Sequence, residues 1–175
     1  ELIDHNGDTL KEILIELAQH NHMDASFIQW ITDANRYYNT LVDRIVPGYP
    51  RNEDKELWNQ LGYIDQNMVV GEIFHLWVID GKTVKELEKK LPTQKANLNV
   101  LFVDSIKPYK ERKVKILNGS HTCLVPVSYL AGIDTVRETI EDKQLKKYVL
   151  DFIFNEVVPT IRIPRDQMDS YANSV

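Results

Sequence analysis

Lys107-Pro-Tyr-Lys-Glu-Arg-Lys-Val-Lys-Ile-Leu-Asn-Gly-Ser-His121 divides the sequence into two different patterns. Before it, short β-branched and aromatic runs alternate with charged helical segments. After it, apolar residues recur almost throughout at helical spacing. The stretch itself is densely cationic and contains Lys-x4-Asn-x2-His: Lys113, Asn118 and His121. On an ideal α-helix Asn118 lies about 140° and His121 about 80° round from Lys113. An amine, an amide and an imidazole staggered along one helix can serve one cleft.

Working outward, Asp8 or Thr9 is expected to cap a helix from about Leu10 to Gln19, where Leu10, Ile13, Leu14 and Leu17 share a face. Asp24 opens an apolar patch, Phe27 to Ile31, read as extended, and Thr32 or Asp33 as the cap of a turn. Leu41-Val42 and Ile45-Val46 lead into a turn at Pro47 and Pro50. Asn52 to Leu61 predicts a helix stopped by Gly62. Ile73 to Ile79 and Val100 to Val103 read as strands, with the charged helical segment Thr83 to Leu91 between them. From Lys107 one helix runs to about Leu130, followed by a turn at Gly132. Further helices are expected over Thr135 to Ile140, over Asp142 to Val158 before Pro159, and after Pro164. The fold class is α+β: residues 1–105 mix strands and helices, and residues 106–175 are helical.

Composition narrows the function. The 175 residues are 43% hydrophobic and 27% charged, near the globular average. A net charge of −5 argues against a nucleic-acid partner. No apolar run is long enough for a membrane span. The single cysteine, Cys123, excludes an internal disulfide and a Cys-rich zinc site, and it fits a reducing compartment. Asp4-His5-Asn6 is not a diagnostic metal spacing, so no metal is expected. No Gly-x-Gly-x-x-Gly fingerprint occurs, so no dinucleotide phosphate loop lies in these residues.

The Lys113/Asn118/His121 stretch resembles the active-site signature of the polyol-specific long-chain dehydrogenases, the mannitol dehydrogenase family. The similarity extends through Glu1-Leu-Ile-Asp-His-Asn-Gly7, Phe27-Ile-Gln-Trp30 and Asn39-Thr-Leu-Val-Asp-Arg-Ile-Val-Pro-Gly-Tyr-Pro50. It continues through Leu98-Asn-Val-Leu-Phe-Val-Asp104 and Leu124-Val-Pro-Val-Ser-Tyr-Leu-Ala-Gly132. The resemblance implies the end of a Rossmann-like domain followed by the start of a helical substrate domain, with the active site at their junction. It implies NAD as cofactor, a small sugar-acid substrate and a cytoplasmic location. The chain would be a piece of a larger enzyme, inactive alone, with a phosphate loop upstream and an arginine-bearing substrate motif downstream. The Gly48-Tyr49-Pro50 tract and Asn-Gly-Ser-His-Thr favour the branch handling D-tagaturonate and D-altronate over those for fructuronate/mannonate or mannitol/fructose. Glu1-Leu2 stands where sugar-alcohol members place Asp-Asn.

Lys113 would then be the acid/base. A lysine trades protons near neutrality only when burial or like charges bring its amine down from about 10.4. Lys110, Arg112 and Lys115 are such neighbours. Asn118 and His121 would hold the substrate oxygen, and Asp43, Arg44 and Asn39 would stand near substrate and cofactor. Pattern alone leaves other readings open. Lys113 also fits a solvated cationic face, Asn118-Gly119 a helix end, His121 a core histidine, and Asp43/Arg44 a surface ion pair. A non-catalytic helical module using the basic face is the alternative from another class.

Overall fold

The computed structural model describes residues 3–174, and the side chains of Gln167 and Ser174 are not among those described. The Glu1-Leu2 departure therefore lies outside the described residues. The chain divides into two compact units that meet in sequence between Ile106 and Lys107.

The first unit is a three-stranded sheet with helices. Its strands are β1 (Asn39–Asp43), β2 (Leu76–Asp80) and β3 (Val100–Val103), in the order β1-β2-β3. β1 runs antiparallel to β2, with Leu41 opposite Val78, and β2 runs parallel to β3, with Ile79 opposite Phe102. Successive strand residues face opposite sides, so Val78 (0% exposed) and Ile79 (2%) show that β2 is covered on both faces. β2 starts at Leu76 rather than Ile73. Ile73 is 96% exposed, and His75 is taken up with Asn99. Its Nε2 accepts the Asn99 N–H at 2.9 Å, while the Asn99 side chain donates to the His75 carbonyl at 2.9 Å.

Helix α1 spans Asn6–His20, four residues earlier than the expected start at Leu10, and neither Asp8 nor Thr9 caps it. The cap comes from a distant residue. The Asn39 carboxamide oxygen accepts the N–H groups of Gly7 (3.0 Å) and Asp8 (3.2 Å), and its amide donates to the Asp8 carboxylate at 3.1 Å. Gly7 is required here, because a Cβ on it would stand 2.3 Å from the Tyr38 carbonyl oxygen. The Phe27 patch is helical, not extended: α2 spans Ala25–Asp33, and Asp24 accepts the Phe27 N–H at 2.8 Å. That bond and one from the Ser26 hydroxyl hold the Asp24 carboxyl below the usual carboxylate value, the Ser26 bond having the larger effect. Thr32 returns its hydroxyl to the Ile28 carbonyl within α2 instead of capping a turn. Helices α3 (Asp54–Leu61) and α4 (Val84–Lys90) lie close to the expected positions, and Gly62 ends α3 at φ 80°. Val84 packs with Ile79 and Phe102.

The second unit is helical. A continuous run over 107–130 comprises α5 (Lys107–Arg112), a π-helical turn (Lys113–Asn118) and α6 (Gly119–Leu130). α7 (Val136–Glu141) opens on a Thr135/Glu138 capping box, and Asp142 caps α8 (Lys143–Asp151). A second π-helical stretch, Phe152–Val157, and a short 3₁₀ turn, Val158–Thr160, precede α9 (Arg165–Ser174). Ile116, Leu124, Val149, Ile153, Val158, Ile161, Met168 and Ala172 form the core. Ile116 is fully buried inside the first π turn, so removing its side chain is worth about 2–5 kcal/mol.

Candidate functional site

Lys113 opens the π turn and Asn118 closes it. The Gly119 N–H reaches back five residues to the Val114 carbonyl. A turn that closes over five residues brings positions five apart closer to eclipse than the roughly 140° of an α-helix. Lys113 and Asn118 therefore move onto nearly one face. His121 follows Asn118 by three residues, which are surface neighbours on a helix. Lys113 is half-buried, while Asn118 and His121 are exposed.

Three consecutive side chains bond back to the carbonyls four residues earlier, at the end of the π turn. The Ser120 hydroxyl donates to the Ile116 carbonyl. The Thr122 hydroxyl donates to the Asn118 carbonyl at 3.0 Å. Nδ1 of His121 lies 2.9 Å from the Leu117 carbonyl. A carbonyl only accepts, so Nδ1 carries the hydrogen, and in the neutral ring Nε2 is an acceptor. In that tautomer Nε2 is the ring atom able to accept a hydrogen bond. The ring donates there only as imidazolium.

The flanking cations have structural work. Lys115 pairs with Glu111 at 2.8 Å and also reaches the Thr160 carbonyl at 3.3 Å. The Glu111 carboxyl is held below its ordinary value, first by the Lys115 hydrogen bond and then, against the effect of burial, by the charges of Lys115, Lys107 and Arg162. The Arg112 guanidinium lies over two tyrosine rings, 4.8 Å from the Tyr109 centroid and 4.7 Å from that of Tyr171. Cys123 donates to the Tyr148 hydroxyl at 3.0 Å, and that bond, more than burial, pushes the Tyr148 hydroxyl up. The thiol links α6 to α8.

In the first unit, Asn39 and Asp43 occupy opposite ends of β1, roughly 13 Å apart at about 3.3 Å per residue. Both lie on the same face of the strand. Asn39 is engaged with α1. Arg44 closes a loop: its Nε donates to the Glu72 carbonyl at 2.8 Å, and the Ile45 N–H donates to the Glu72 carboxylate at 2.6 Å. With the Gly48–Val70 bridge, these bonds bring the two ends of 44–72 together. That job was not readable from the sequence, since Glu72 lies 28 residues from Arg44. Asp43 is half-buried at the carboxyl end of β1. The Asn6 amide donates to Thr40 at two oxygens, each 3.0 Å away. Among the described residues, no three His, Cys, Asp or Glu side chains are placed to hold a metal ion, and no helix is long and apolar enough to cross a membrane.

The chain matches the mannitol dehydrogenase Rossmann domain over residues 1–93 and the mannitol dehydrogenase C-terminal domain over residues 105–175. It belongs to the mannitol dehydrogenase family. Over all 175 residues it is 49% identical to the proteins named altronate oxidoreductase from Yersinia enterocolitica and Enterobacter. It covers 36% of each, so it spans about a third of the length of these curated relatives. Among solved structures it is similar to a D-sorbitol dehydrogenase in substrate-free form, at 26% identity and a TM-score of 0.76, over 98% of this chain and 34% of that one. It is also similar to the Pseudomonas fluorescens mannitol 2-dehydrogenase in ternary complex with NAD and D-mannitol. There the identity is 28% and the TM-score 0.61, over 97% of this chain and 33% of that one.

Proposed function

We propose that the whole protein is an NAD-dependent oxidoreductase that interconverts D-tagaturonate and D-altronate, and that this chain supplies its proton-handling residues. The observation that carries the reading is the 49% identity to altronate oxidoreductases over the full 175 residues of the chain. These residues contain no glycine-rich cradle for a pyrophosphate, so no residue here is assigned to hold it. NAD, when bound, supplies the hydride donor or acceptor.

In the oxidative direction, the neutral amine of Lys113 takes the proton of the substrate hydroxyl as hydride leaves the same carbon. In the reductive direction, the ammonium returns a proton to the alkoxide. Asn118 donates to the oxygen without titrating. His121, with Nδ1 bonded to Leu117, accepts from a substrate hydroxyl and so favours a hydroxylated chain beside the reacting carbon.

The test is NADH oxidation by the full-length protein with D-tagaturonate, D-fructuronate and D-fructose in parallel, together with its Lys113→Ala variant. The expected result is a preference for tagaturonate and a loss of about 100-fold or more in kcat for the variant at every pH. Preference for another ketose moves the protein to a sister branch. No oxidation of any of the three removes the enzymatic reading. Salt-sensitive loss of a protein partner on substituting Lys113 would then favour the interaction-module alternative.

A further inference from the structure

We propose that Arg112 is a positioning residue whose cation–π contacts with Tyr109 and Tyr171 fix where the π turn begins, and hence where Lys113 points. The inference rests on the role proposed for Lys113.

Arg112 is the last residue of α5 and is still α-helical, at φ −64° and ψ −42°. The π turn starts at the next residue. Tyr109 is on the same helix, one turn earlier, whereas Tyr171 belongs to α9 and packs against the core formed in part by Met168 and Ala172. The guanidinium lies within 5 Å of both ring centroids, well inside cation–π range. Its flat face can contact a ring on each side. A lysine ammonium there would keep the charge and lose the stacking.

A π turn adds one residue to a helix, and nothing in backbone chemistry specifies where. If it slid by one position, the residue carried past it would rotate by about 100° about the axis. Lys113 would then leave the face it shares with Asn118. At the far end the slide is opposed by buried Ile116, by Ser120 bonded to the Ile116 carbonyl, and by Gly119 bonded to Val114. At the near end it is opposed by Arg112, which ties the last α-helical residue to α9. Both ends of the turn are held, and Lys113 is the first side chain beyond the near clamp.

The experiment uses the full-length protein and two variants that keep most of the packing, Arg112→Lys and Tyr171→Leu. kcat, KM and the pH profile are measured with the preferred ketose. Reductive methylation of Lys113 relative to Lys110 is followed separately by peptide mass spectrometry, which needs no turnover. The expected result is a loss of about tenfold or more in kcat with KM changed by less than about threefold. A shifted pH profile and an altered Lys113 methylation rate should accompany it in both variants. Unchanged kcat and methylation with a lowered Tm would overturn the proposal and leave Arg112 as a brace. If the wild type turns over none of the ketoses, the functional reading fails by itself. The methylation ratio then decides the positioning claim alone: a change of about threefold or more supports it, and a wild-type ratio overturns it.

Discussion

At the residue scale, His121 is the side chain whose chemistry the structure changes most. In the sequence it is an imidazole three residues after an asparagine, with either nitrogen available. In the structure the Leu117 carbonyl takes Nδ1–H, and the acceptor Nε2 is the nitrogen left over. For the proposed substrate contact the consequence is specific, because an acceptor Nε2 suits a hydroxyl and does not suit a bare carbonyl. Two-bond ¹H–¹⁵N NMR of the neutral protein should therefore show the Nδ1–H tautomer at His121. A spectrum dominated by Nε2–H would mean that the Leu117 bond is absent, and the proposed acceptor role would go with it. Arg112 shows the same principle in another form. Its charge was legible in the sequence, but its stacking partner Tyr171, 59 residues on, was not.

At the element scale, local signals decided what could be read. Gly62 after α3, the Pro159 and Pro164 breaks and the β-branched run at Val100 each state their structure through a neighbour or two. α2 is helical where its apolar run reads as extended, although the cap signal is present. Asp24 three residues before Phe27 is an N-cap signal, and the apolar content of Phe27-Ile28 and Trp30-Ile31 hid it. The π turn had no such signal: the core that buries its Ile116 is assembled from residues as far on as Ala172. The start of α1 was hidden for a related reason. Its cap, Asn39, comes from the first position of β1 and so exists only after α1 and β1 have met. Asn39→Ala removes two accepted N–H bonds and one donated bond at that junction. It should cost about 0.5–2 kcal/mol, the usual range for a lost cap. Urea unfolding would measure the loss, and hydrogen exchange should show faster opening at Gly7 and Asp8. Unchanged exchange at those two amides would mean that the cap adds nothing and that Asn39 stands there for another reason.

At the scale of the whole molecule, the candidate residues are divided between the two units. The helical unit holds Lys113, Asn118 and His121 on one run, with a core of its own. The sheet unit holds Asp43 at one strand end and, at the other, the Asn39 network that fastens α1. Neither contains a glycine-rich loop opening a helix, the feature that lets backbone N–H groups approach a pyrophosphate. Most of a dinucleotide's polar contacts would therefore have no counterpart in these residues. The 175-residue chain by itself should bind NAD more weakly than about 1 mM, equivalent to less than about 4 kcal/mol. The full-length protein should bind it far more tightly under the same conditions. Isothermal titration of both with NAD separates the cases. Equal and tight binding would show that the chain contains a nucleotide site with no recognisable loop, and the division of labour between these residues and the rest of the protein would have to be redrawn.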